Sequence, residues 1–305
     1  MLHFYADPIA DDISPTLFFS PVSAPVAGPD SRVDARDADA LALAERLGQV
    51  ALSNRDLVAA EQHFRGALEL RQRCGGVARL GLPQAFGRLG VVAVHRGDLS
   101  HAEALFELGL ELARALRPTL DLEDAVLLHN LGFVARRRGQ LQEAETHFLG
   151  ALAIKVRVLG WTHATVATTL TSLGSVLLRQ RRAAEALTHL ERALQIFDNC
   201  SGEAGPALAL VRMTRGQAQL QLGQRDAAER SFVDALAAVA STPAPAALLA
   251  RGHFLLARAR WPRDRAAARA SALAARQCVL GDRRSRPDRV HVIDEWLAAH
   301  PEPTA

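Results

Sequence analysis

Residues 128–151 read LHNLGFVARRRGQLQEAETHFLGA. They set glycine at 132, alanine at 144, phenylalanine at 148 and alanine at 151, within two stretches whose apolar residues recur at helical spacing. Stepping outward by 42 residues returns the same set in both directions. The glycines are Gly48, Gly90, Gly132, Gly174 and Gly216, followed by Ala60, Ala102, Ala144, Ala186 and Ala228. An aromatic or leucine comes next, at Phe64, Phe106, Phe148, Leu190 and Phe232, and then a small residue at Ala67, Gly109, Ala151, Ala193 and Ala235. A fixed period of this length marks a repeat array, in which each unit buries its apolar face by stacking on its neighbours.

The residue types follow from the packing they imply. Two antiparallel helices approach closely only where both present small side chains, so Gly48 and Ala60 supply that contact and Phe64 fills the groove beside it. Short polar turns separate the two helices of a unit, such as Asn54-Arg55-Asp56 and Arg96-Gly97-Asp98. Asp56 and Asp98 stand at N-cap positions, where a carboxylate accepts orphan amide protons of the second helix. Propeller blades need strand alternation and do not fit these alanine- and leucine-rich segments, and HEAT units share the period but not this residue set.

Leu-Gly followed by Ala, Phe and Ala resembles the tetratricopeptide repeat, lengthened beyond its usual period of about 34 residues. The run Asn130-Leu131-Gly132, Gln142-Glu143-Ala144-Glu145, Ala151-Leu152-Ala153-Ile154 and Leu159-Gly160-Trp161-Thr162-His163 resembles the long repeat of kinesin light chains. This chain has His163-Ala164 where that family has His-Pro, and Arg215 replaces the signature leucine in the fifth copy. The resemblance implies an all-α fold: a right-handed α-α superhelix, or TPR solenoid, of five repeats and a degenerate sixth, closed by a C-terminal capping helix. Residues 1–36 are expected to be a disordered tail, 37–282 the array, and 283–305 the capping helix with a short tail. In the sixth unit Leu256, Ala268 and Ala272 hold the helix-packing positions, so the signature glycine is lost.

In this family the first helix of each unit lines the concave side. The ligand-binding residues expected there are Arg46 and Gln49 in repeat one, Arg88 and His95 in repeat two, and His129, Asn130, Phe133, Arg136 and Arg137 in repeat three. Repeat four adds Ser172, Ser175 and Arg179, and repeat five adds Gln217. The inner face as a whole carries five arginines against one carboxylate, Glu45. An arginine-bearing helix surface is often only a solvated face, but a concave surface of one sign focuses its field and favours an acidic partner. The resemblance also implies that Asn130, just before the signature leucine, clamps a ligand's backbone.

Composition agrees with an extended helical body. The chain has 305 residues with a net charge of +3, and of its 36 basic residues only Lys155 is lysine. The arginine and alanine bias suggests a G+C-rich bacterial genome. Three cysteines without metal-like spacing suit a reducing cytoplasm better than a disulfide framework. The first 31 residues hold four aspartates, no Lys or Arg, and the aromatic runs His3-Phe4-Tyr5 and Leu17-Phe18-Phe19. They lack the positive n-region of a signal peptide, and no segment reaches the roughly 18 apolar residues of a membrane span.

Phosphate-cradling glycine loops, metalloprotease helices, nucleophile elbows and Cys-x-x-Cys pairs are absent, so no catalytic or cofactor reading follows and no metal is expected. Helical repeats can read RNA, but the small net charge and the packing role of the repeated aromatic argue against a nucleic-acid partner. The expected function is an adaptor that binds an acidic, extended segment of another protein in the groove, with the chain's own N-terminal tail as a possible competitor. The alternative is a regulatory sensor whose superhelix responds to a small peptide or metabolite.

Overall fold

The computed structural model describes residues 35–74, 76–199, 205–240, 244–282 and 287–301. The expected N-terminal tail lies outside them, except for Ala35 and Arg36, which open the first helix. Among the described residues the regular structure is thirteen α-helices and a 3-10 segment over Gly76–Gly81. The helices are α1 (Ala35–Ser53), α2 (Leu57–Cys74), α3 (Leu82–Arg96), α4 (Leu99–Leu116), α5 (Leu122–Arg138) and α6 (Leu141–Leu159). They continue with α7 (Ala164–Arg179), α8 (Ala183–Asp198), α9 (Gly205–Gln221), α10 (Arg225–Ala237), α11 (Ala246–Arg260), α12 (Arg265–Gly281) and α13 (Pro287–Ala299).

The chain forms two compact units, one ending at Gly160 and the other beginning at Trp161. In the first, α1/α2, α3/α4 and α5/α6 pack as pairs, and α2 then lies on α3 and α4 on α5. In the second, α7/α8, α9/α10 and α11/α12 pair, with α8 on α9 and α10 on α11.

Each pair closes over its glycine. A Cβ at Gly48, Gly90 or Gly216 would lie 2.5 Å from a ring carbon of Phe64, Phe106 or Phe232, and one at Gly132 would lie 2.9 Å from Phe148. Leu190 takes the same place over Gly174, with its Cγ 2.9 Å from where a Cβ would be. The five alanines of the second helices, Ala60 to Ala228, are fully buried beside these contacts. The sixth unit reverses the arrangement, with Leu256 at the glycine position and Ala272 at the aromatic one, both buried. Large and small have changed places, which conserves the volume between the helices.

The turn between paired helices is equally regular. The residue seven places after each glycine has positive φ: Arg55 (60°), Gly97 (84°), Gly139 (81°), Arg181 (66°) and Gly223 (77°). Asp56 and Asp98 then cap the second helices, accepting from the amides of Ala59 and His101 at 3.0 Å. Asp264 does the same for α12 through Ala267 N–H at 2.8 Å. At the far end Ile293 of α13 is buried in a cluster with Ala250, Phe254, Ala275 and Val279, and Val290, Trp296 and Leu297 pack against it.

Two outcomes follow from these contacts. Gly90→Ala should destabilise the protein by about 1–3 kcal/mol through overpacking against Phe106, outweighing about 1 kcal/mol of helix propensity; denaturant melts at a constant m-value measure it. Arg181→Gly should stabilise by about 0.5–1 kcal/mol, because a side chain in the left-handed region costs about 1–2 kcal/mol and glycine's larger unfolded-state entropy takes back part of the relief.

Candidate functional site

Two of the five arginines expected on the inner face, Arg136 and Arg137, lie with His129, Asn130 and Phe133 on α5. Its start is fixed by a capping box: Asp121 accepts from the amides of Glu123 (2.9 Å) and Asp124 (3.3 Å), and the Asp124 carboxylate accepts from Asp121 N–H at 2.7 Å. Arg117 braces both carboxylates, donating to Asp124 at 2.7 Å and pairing with Asp121. Packed against α3, α4 and α6, α5 has little freedom to rotate.

On this helix Phe133 is buried, with the Arg136 guanidinium carbon 5.3 Å and that of Arg137 6.0 Å from its ring centroid. Both distances suit cation–π attraction. Arg136 is buried and Arg137 half-buried. One turn earlier Asn130 is buried, and its side-chain oxygen finds no hydrogen-bond donor among the described residues. His129 is buried with its ring edge-on to Phe148, centroids 4.9 Å apart at 65°. Burial holds its pKa well below the usual histidine range, and the charges of Lys155 and Arg136 lower it further.

Lys155 was not among the expected site residues. It lies on α6, four residues after Ala151 and seven after Phe148, so it shares their packed face. Only 3% of it is exposed, and burial pushes its ammonium down to about 7. The signal was available in the sequence: the chain's one lysine sits on the packed face of an otherwise apolar run.

The remaining expected residues are placed differently. Arg88 is buried and ion-paired with Glu45, whose same oxygen accepts from Arg71 at 2.7 Å. The one carboxylate expected on the face is therefore held between two arginines, and Arg88 has its counter-charge within the protein. Arg46 and His95 are exposed and Gln49 half-buried, on α1 and α3 rather than with the α5 group. Ser172, Ser175, Arg179 and Gln217 belong to the second unit. Ser175 donates to the Ser172 carbonyl at 2.6 Å, Gln217 accepts from Arg251 at 2.9 Å, and Arg179 is exposed. Arg251, buried on α11, is a second basic residue that the sequence reading did not select.

Lys155 gives a pH signature. Its folded pKa of about 7 is below its ordinary value of 10.5, so between those values the unfolded chain binds more protons. Stability contributed by this group therefore rises with pH across that window and is lowest below it. Lys155→Met should flatten that rise and raise the melting temperature most at pH 6, as measured by circular-dichroism melts of both proteins from pH 6 to pH 10.

Among the described residues no helix is long and apolar enough to cross a membrane, and no group of three or more His, Cys, Asp or Glu side chains could hold a metal ion. A comparison with curated protein sequences finds no significant match. The apo quorum sensor NprR from B. thuringiensis shares the fold with a TM-score of 0.69 at 12% identity, over 89% of this chain and 73% of that one. BtubC (BKLC) from P. vanneervenii matches with a TM-score of 0.52 at 21% identity, over 89% of this chain and 96% of that one. A P. anserina chain described as kinesin light chain, with nearly identical TPR-like repeats, matches at 0.54 and 19% identity, over 68% of this chain and 99% of that one. These likenesses establish the all-α solenoid fold. The family model of the tetratricopeptide repeat matches residues 39–115, 123–197 and 165–241. With matches over more than half of its length, the chain belongs to the tetratricopeptide repeat family.

Proposed function

We propose that the protein is a protein-interaction adaptor whose α5 face, in the first unit, binds an acidic extended segment of another protein. One observation carries this reading. The position 23 residues after the signature glycine and the position three residues before it differ in chemistry from repeat to repeat. In repeat one they hold Arg71 and Glu45, hydrogen-bonded at 2.7 Å. Repeats two, four and five hold Ala113 with Gly87, Phe197 with Thr171, and Val239 with Met213. Repeat three holds Lys155 and His129, with Arg136 also bearing on the imidazole.

Repeat three thus answers a buried cation with an imidazole where repeat one answers it with a carboxylate. The positive charge gathered at Arg136, Arg137 and Lys155 favours an acidic ligand, and Asn130 offers an acceptor for a peptide N–H. A buried acceptor left unsatisfied costs about 1–3 kcal/mol, which a bound peptide removes. The segment formed by residues 1–31, with four aspartates and no Lys or Arg, carries the chemistry of such a ligand and competes for the same face. Should binding alter the helix packing, the same site would serve a sensor, the role of the structurally similar NprR.

Fluorescence polarisation with a panel of labelled ten-residue acidic peptides and their glutamine/asparagine counterparts tests the reading on a chain beginning at Arg32. Acidic peptides should bind and their amide counterparts should not. Arg137→Glu should weaken binding about tenfold or more, and salt should weaken it further. His129→Glu should raise stability at pH 7 and lower affinity for the acidic peptides. Equal binding of acidic and amide peptides would overturn the proposal.

A further inference from the structure

The first repeat leaves exposed three positions that are buried in repeats two to four. Counting from the signature glycine, positions −5, −1 and +2 hold Ala85, Leu89 and Val92 in repeat two and Leu127, Leu131 and Val134 in repeat three, all buried. In these repeats α2 lies on α3 and α4 on α5. Thr169, Leu173 and Val176 in repeat four are buried too, as are Val211 and Ala218 in repeat five. In repeat one the same positions are Leu43, Leu47 and Val50, and they are 58%, 42% and 57% exposed. Val58, at the start of α2, is 61% exposed. Three large apolar residues at i, i+4 and i+7 on α1 therefore present a stripe shaped to receive a helix.

The charges at the two ends of this stripe indicate its occupant. Asp39 lies one turn before Leu43, and Arg55 lies in the turn two residues past the helix end, five residues after Val50. Both are exposed, and neither makes an ion pair among the described residues. An acid at one end, a base at the other and apolar residues between make the stripe complementary to itself when two copies run antiparallel. With Leu47 near the two-fold axis, Leu43 of one copy faces Val50 of the other, and Asp39 faces Arg55 twice. The segment before α1 is a poorer source for the missing helix, since prolines stand at positions 8, 15, 21, 25 and 29.

We infer that α1 is a homodimer interface, in which a second copy of this chain packs its own α1 antiparallel on Leu43, Leu47 and Val50 in an isologous contact. This is independent of the acidic-peptide reading, because α1 and α5 present different residues and each can be altered without the other.

Sedimentation equilibrium of the full chain between about 5 and 200 µM tests it, a range suited to an interface at the small end of specific contacts. A monomer–dimer equilibrium is expected, and Leu47→Glu, at an exposed site, should shift it at least tenfold toward monomer, with a melting temperature unchanged at concentrations where the parent chain is itself monomeric. Asp39→Arg and Arg55→Asp should each weaken the homodimer by placing like charges opposite each other. Aspartate is accommodated in the left-handed conformation of residue 55 at least as well as arginine. Mixed together, these two variants should form a heterodimer, because each then supplies what the other lacks. A full chain that stays monomeric throughout the range, or a dimer indifferent to Leu47→Glu, overturns the proposal. So does a chain that dimerises through this stripe only after residues 1–31 are removed, for the tail would then be its occupant. A Leu47-dependent dimer in which the charge variants fail to form the mixed species would overturn the antiparallel pairing.

Discussion

The close approach of Gly48, Gly90, Gly132, Gly174 and Gly216 to the side chain opposite is the contact on which the rest of the protein depends. A ring or leucine can lie against the facing helix only because no Cβ occupies its place, and the pair of helices closes to that distance. Closure in turn sets where the second helix presents its outer side, and that side buries the first helix of the next unit. A solenoid has few long-range contacts to fall back on, so its stability is nearly a sum of such local terms. The sixth unit tells the same story with the partners exchanged, since Leu256 and Ala272 fill the same gap as glycine and phenylalanine. What is conserved from unit to unit is the summed volume across the pair, and glycine is only its commonest solution.

Much of this could be read from the sequence because it repeats. The 42-residue period located both helices of every pair, the aspartate N-caps at 56 and 98, and the packing positions of the degenerate unit. Features that occur once were harder to see. Arg55 and Arg181 occupy the left-handed turn position that glycine fills at 97, 139 and 223, a conformation that residue identity alone does not disclose. Gly252 stands outside the repeated set, yet a Cβ there would lie 2.6 Å from Met213 and 2.8 Å from Leu236, because α11 presses on the preceding pair at that point. Side-chain pairing across helices was also hidden. Counting placed Arg88 and Glu45 on one face as five bases against an acid, but the acid is bonded to Arg71 and paired with Arg88. A charge tally along a helix says nothing of which charges neutralise each other until the helices are in contact.

The repeat also supplies its own controls. Five copies of one packing solution show what each position does when nothing further is asked of it, so a departure at one copy has a local cause. Most positions at −3 and +23 from the glycine are small or apolar, and repeat one places a complementary ion pair there. Repeat three alone puts two bases in that place, with Lys155 97% removed from solvent on the 3% figure for its exposure. Burying a cation costs several kcal/mol unless charge or hydrogen bonds offset it.

The same logic separates the interior of the array from its ends. Stacking requires only that each first helix bury positions −5, −1 and +2, and within the first unit the chain meets that requirement in repeats two and three with apolar side chains. At α13 the chain covers its last pair with Ile293 and the tryptophan-centred cluster around it. At α1 it keeps the large apolar residues that stacking would need and sets an exposed acid and base at either end. An end meant only for water would carry polar residues at those positions, since hydration of leucine and valine there is unfavourable by about 25 cal/mol for each Å² left uncovered. Retaining them makes sense where burial is completed from outside the array. Repeat three buries a lysine beside a histidine, and repeat one leaves an apolar stripe exposed, each a departure from its sister repeats.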